Sequence, residues 1–212
     1  VLVTAFAALA LIAGSPAVAA NAASSTPSTD LGHLPAVISK DSPQYAALVN
    51  TPGFHYAPAT AENLARISTT APSAGSSTSQ AQSLGLQATP LVTAGNCNFT
   101  GRADYPHVTN FEASVHGYWV VLSGTCPSTA KVTVDLQAVG CTPFGCVWIT
   151  QDTRSGTFTP GSGTGHWATP HKACANANTV GWRGQVDVDL TGVNDPSGYQ
   201  YSAEVNLECS PA

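Results

Sequence analysis

Several groups of side chains have the type and spacing for chemistry. His166, His171 and Cys174 are spaced as metal ligands can be. In an exported chain, however, Cys174 is wanted for a disulfide, and a bare His166/His171 pair is a poor metal site. Asp187, Asp189 and Glu204 fall on the polar side of two alternating stretches, with Asp195 between them. Asp187-x-Asp189-x-Thr191-Gly192 opens like a calcium loop, but Gly198 stands at the twelfth position, where a bidentate Glu is needed. These three carboxylates are the metal candidates; a solvated acidic face is the simpler reading of them. Glycoside hydrolysis needs paired carboxylates, for which Asp135, Asp152, Asp187, Asp189 and Glu204 are available without a readable aromatic cleft. His107 and His116 lie near Asp104 and Glu112 in one stretch, but neighbours in sequence do not make a triad, and no G-x-S-x-G elbow exists. The catalytic set is therefore empty, and no cofactor is expected beyond the calcium weighed above.

Binding leaves a different trace, namely aromatic side chains on rigid strands. Trp148 is the first candidate, followed by Trp119, Trp167, Tyr118 and Tyr105. Trp148 follows the stretch Cys141-Thr142-Pro143-Phe144-Gly145-Cys146, which reads as a β-hairpin with a disulfide across its neck. If Cys141 faces Cys146, then Val139 lies opposite Trp148, Gln137 opposite Thr150 and Asp135 opposite Asp152. Regular pairing places Trp148 outward beside the cystine. A bulge turns it inward, and the usual burial of Trp favours that outcome.

These residues need a scaffold. Only 9% of the 212 residues are charged and the net charge is -5, which removes the basic footprint of a nucleic-acid or anionic-membrane binder. Residues 1–19 read as a secretory signal, an apolar run followed by Ala17-Val18-Ala19, too short to span a membrane. Residues 20–90 read as a largely flexible segment, Ser/Thr-rich at 69–82. Within it two short helices are predicted, one begun by Ser42-Pro43 and one by Thr60. Six cysteines, Cys97, Cys126, Cys141, Cys146, Cys174 and Cys209, imply three disulfides. Nearest-neighbour pairing is the simplest of fifteen connectivities.

Residues 91–212 form the predicted domain. Strands are expected over 118–124, 131–139, 146–158, 182–190 and 199–209, with one or two short ones within 108–115. The alternation at 131–139 and 199–209 is that of half-buried antiparallel strands. The fold class is all-β, an antiparallel sandwich of immunoglobulin-like or similar type stapled by three disulfides. Over the six residues 141–146 the chain resembles the small sandwich apoproteins that carry enediyne antibiotics, which implies a small-ligand carrier; its length and remaining cysteines depart from that pattern.

The expected function is non-catalytic binding outside the cell, of a polysaccharide or a protein, in a secreted or cell-wall-associated protein. The alternatives are a secreted carboxylate hydrolase and a small-ligand carrier or inhibitor.

Overall fold

The computed structural model describes residues 35–67, 92–194 and 198–212. The signal reading at 1–19, the Ser/Thr-rich stretch at 69–82 and Asp195 lie outside the described residues. In chain order the elements are β1 (Val37–Ser39), α1 (Pro43–Val49), β2 (His55–Tyr56), α2 (Ala61–Ala65), β3 (Val92–Ala94), β4 (Cys97–Ala103), β5 (His107–Thr109) and β6 (Glu112–Ser114). There follow β7 (Gly117–Gly124), β8 (Ala130–Thr142), β9 (Gly145–Phe158), β10 (His171–Ala173), β11 (Asn176–Leu190), β12 (Tyr199–Tyr201) and β13 (Val205–Ser210). The protein is mostly β, in three open sheets. The largest runs β1-β9-β8-β11-β12, with β13 also on β11 and β2 on β8; the others are β10-β6-β5 and β3-β4-β7.

The long hairpin β8–β9 is the spine. Thr142 pairs with Gly145, so Pro143 and Phe144 form its turn, and Cys141 sits opposite Cys146 and is bonded to it. The other disulfides are Cys97–Cys126 and Cys174–Cys209, the nearest-neighbour set. Pairing is regular from the cystine through Val139–Trp148 to Gln137–Thr150 and then shifts by one residue at Gln151. That bulge changes one expected pair. Asp135 lies opposite Thr153, not Asp152, and the Thr153 hydroxyl donates to its carboxylate at 2.6 Å. Two like charges are thereby moved out of direct opposition.

The N-terminal segment is not merely a tether. Both predicted helices form at their expected caps. Ser42 Oγ accepts from the Tyr45 amide and Thr60 Oγ1 from the Asn63 amide, each at 3.2 Å. Helices this short are unstable alone in water and hold only by packing. β1 joins β9 in parallel and β2 joins β8, so the segment contributes two strands to the main sheet. It grips the neck half of the hairpin from both sides. On one face Leu48 of α1 packs with Ile38, Val147 and Ile149. On the other, Ala57, Leu64 and Ile67 cover Val139, the cystine and Trp148. Gly181 makes this docking sterically possible, because a Cβ there would lie 2.5 Å from the Ala59 backbone.

The main core lies between the seven-stranded sheet and β3-β4-β7. Phe99 and Trp119 from the smaller sheet meet Val132, Val134, Leu136, Trp182 and Val186 from the larger. Each such side chain contributes about 1.5–3 kcal/mol on burial. The two indoles of this core are hydrogen-bonded, Trp119 Nε1 to the Phe158 carbonyl and Trp182 Nε1 to that of Cys209. Beyond the bulge, β9 turns polar with Asp152, Thr153, Arg154 and Ser155, and an edge of this kind resists pairing with another chain. The predicted strand over 199–209 is broken at Ser202–Glu204. There the Ser202 hydroxyl accepts from the Gly184 amide at 2.8 Å.

Candidate functional site

The five aromatic candidates part company. Trp119 is 0% exposed in the core. Trp148 is 3% exposed, by a route neither predicted register contained. Its pairing is regular and it shares the cystine's face, yet the upstream segment lies over it. Tyr118 is half-buried on β7 opposite Arg102. Tyr105 is 70% exposed, and the half-buried Trp167 lies with its ring centroid 4.3 Å from that of His116.

Around Trp148 the covered face carries a cation. The Arg183 guanidinium carbon sits 4.3 Å from the Trp148 ring centroid and 4.3 Å from that of Tyr201. Arg183 Nε donates to Gln137 Oε1 at 2.8 Å, and Gln137 Nε2 donates to Gln185 Oε1 at 2.9 Å. Burial pushes the guanidinium down to about 10, which still leaves it charged at neutral pH, and it pushes the Tyr201 phenol up. A guanidinium between two rings is a recognition geometry, but here it is spent on holding the sheet to its cover.

The open counterpart is the β5–β6 hairpin. Thr109 pairs with Glu112, so Asn110 and Phe111 form a two-residue turn, with φ of 52° and 61°. Positive φ at both places is the type I′ pattern, which favours Asn-Gly. A bulky Phe in that conformation is strained, and this one is 84% exposed. The tip is held from behind. Cys174, bonded to Cys209, donates its amide to the Phe111 carbonyl at 2.8 Å, and β10 pairs with β6. Val108 and Tyr105 are exposed along the same hairpin and its approach.

At the base of this hairpin polar groups converge. Just past the last β4–β7 pair, Ala103–Gly117, the Asp104 carboxylate accepts from the His116 amide at 2.7 Å and from its Nδ1 at 2.5 Å. His107 stacks on His116 with centroids 5.1 Å apart. Its Nδ1 donates to the Tyr105 carbonyl at 3.1 Å, so Nε2 accepts from the Ser114 hydroxyl at 3.2 Å. Trp167 closes the column, brought there by paired hydrogen bonds between Gly117 and Ala168. Gly117 lets β7 lie close over the main sheet, since a Cβ there would lie 2.4 Å from Val134.

The remaining candidates do not converge in this way. Cys174 is in a disulfide, His166 Nδ1 is held by Thr159 and His171 faces Glu112 at 3.8 Å. Asp189 lies in register with Lys131 and Asp187 with Thr133, while Glu204 sits in the break after β12. Asp152 is tied to Arg154 at 3.2 Å and to the His171 amide at 3.0 Å. A cleft lined by Val92, Phe99, Gly101, Val186, Val188, Gly198 and Gln200 holds about 230 Å³ of space, open solvent included.

Sequence reasoning named Tyr105 and Trp167 and noticed Asp104, His107 and His116 without joining them. It missed Phe111 and Arg183. The signal for Phe111 was present, since Asn110-Phe111 follows a strand pattern where Asn-Gly belongs. Comparison with known proteins adds no relative: no family model, no curated protein and no solved structure matches the chain.

Proposed function

We propose that this chain is an exported β-sandwich that binds an extracellular polysaccharide through the β5–β6 hairpin and performs no catalysis. The observation that carries the reading is Phe111, a large apolar side chain displayed at 84% exposure where turn chemistry asks for glycine. Strain of this kind persists where the surroundings enforce it, here the Cys174 amide and the disulfide behind it. Flat rings such as Phe111 and Tyr105 stack on sugar faces, and Glu112 beside them can accept hydrogen bonds from hydroxyl groups. Three disulfides are consistent with an oxidising compartment. No helix among the described residues is long and apolar enough to cross a membrane.

The test is retention of the folded protein on insoluble cell-wall and plant polysaccharides. Phe111→Gly and Tyr105→Ala are each expected to weaken retention roughly fivefold, about 1 kcal/mol per lost ring. Phe111→Gly suits the turn, so a loss cannot be blamed on unfolding. Absence of retention on every polymer, or undiminished retention in both variants, would sink the proposal.

A further inference from the structure

We infer that Asp104, His107 and His116 form a binding site for a divalent first-row transition ion, with zinc as its natural probe. One ligand atom from each of the three lies within 4.8 Å of the others. The donor set is two imidazoles and one carboxylate. That composition suits zinc, copper, nickel or iron and argues against calcium or magnesium, which take oxygen ligands. Zinc holds such ligands about 2.1 Å away, hence about 3.4 Å from one another in a tetrahedron. The 2.5 Å Asp104–His116 contact must therefore open by about 1 Å and His107 must close in by a similar amount, within reach of side-chain torsions. On binding, the ion takes the hydrogen's place at His116 Nδ1, and the ring stays a neutral imidazole by carrying its proton on Nε2 instead.

The supporting contacts are those of a metal site. His107 Nδ1–H is turned to the Tyr105 carbonyl, which leaves the ring's electron pair on Nε2, and the Ser114 hydroxyl that donates to it turns away when the ion binds. The His116 amide fixes Asp104 Oδ1, so Oδ2 is the oxygen directed at the imidazoles. His107 stacks against His116, and Trp167, tilted 36° to it, packs against the same ring, which together restrict its rotation. Three protein ligands leave a fourth position for water or for a donor atom of a bound molecule. The half-buried residues are reachable from solvent at the surface where Tyr105 is displayed.

The site is independent of the polysaccharide reading. Tag-free protein, stripped with a chelator and dialysed, is titrated with zinc chloride by calorimetry. One ion per chain is expected, weakened at least about tenfold in His107→Gln and in Asp104→Asn. His171→Gln, on the neighbouring strand, and Phe111→Gly are expected to leave it unchanged. His107→Gln preserves the Asp104–His116 contact, so it remains decisive if Asp104→Asn lowers stability. The inference is overturned if the wild type takes up no zinc, if His107→Gln binds as tightly, if His171→Gln weakens binding equally, or if calcium competes at equal concentration.

Discussion

The Trp148–Arg183–Tyr201 stack and the Trp167–His116–His107 stack are built from the same parts, aromatic rings in contact with nitrogen cations or cation precursors. One is closed and the other is open. The difference does not come from the strands that carry them. Trp148 lies on the outer face of a regular hairpin, where pairing alone would have displayed it. It is hidden because α2 and the chain before it are fastened across the hairpin's neck, with Arg66 donating to the Thr142 carbonyl and accepting from the Cys146 amide. Among the described residues no such cover lies over Tyr105 and Phe111. A strand's periodicity states which face a side chain is on. What lies over that face is a matter of distant chain, and here it separates a structural stack from a candidate binding surface.

Truncating the two tryptophans should separate the stacks by the widest margin. Trp148→Ala empties a buried site and is expected to cost about 3–5 kcal/mol in chemical denaturation. Trp167→Ala, from a half-buried ring, is expected to cost less than half as much. Equal losses would mean that the two stacks are equally structural. The disulfides come next. In the chain-entropy model Cys174–Cys209, at a sequence separation of 35, contributes about 4 kcal/mol, and Cys141–Cys146, at a separation of 5, about 2 kcal/mol. The double Cys→Ala variants, compared by denaturation midpoint, are expected in that order. Loss of Cys174–Cys209 should also speed amide exchange at the β5–β6 turn, whose tip it anchors.

What could be read from the chain follows the range of the interaction. The Cys141–Cys146 hairpin, the alternation of β8, and the caps at Ser42 and Thr60 are local, and residue types within a few positions specify them. The bulge at Gln151 is set by packing, since Gln151 Nε2 donates to the Tyr56 hydroxyl, which comes from the N-terminal segment. The break after β12 has a similar cause. The alternation of 199–209 runs through Ser202, but its hydroxyl takes the Gly184 amide of the neighbouring strand instead. Asp104 and His116 lie on opposite sides of the β5–β6 hairpin in sequence, and only the end of the β4–β7 ladder brings them together. The site's parts were visible, but the ladder that assembles them was not.

Phe111 on the open side should respond in the opposite direction. In a well-packed region a Phe→Gly change opens a cavity and costs stability. Here the ring is out in solvent and the backbone is left-handed, so Phe111→Gly is expected to stabilise by up to about 1 kcal/mol as the strain is released. A loss of 1 kcal/mol or more by denaturation would show that the ring packs in solution, and would remove the argument that it is displayed for a partner.

The smallest effect concerns Asp135, at the margin of the covered face. Burial pushes its carboxyl above the ordinary range, the nearby Asp152 charge adds to this, and the Thr153 hydroxyl opposes it. A raised carboxyl pKa means that the folded state holds its proton to higher pH than the unfolded chain does. Stability from this group is therefore greatest below the unfolded value of about 3.9 and falls as pH rises through the folded value. Asn cannot ionise, and its carbonyl oxygen can still accept from Thr153. Asp135→Asn should then match the wild type near about pH 3 and exceed it slightly near about pH 7, a modest gain because water still reaches the group. Urea midpoints at the two pH values decide it. A variant weaker than the wild type at about pH 7 would show that the ionised carboxylate is wanted there, which would favour a working carboxylate on this face over a structural one.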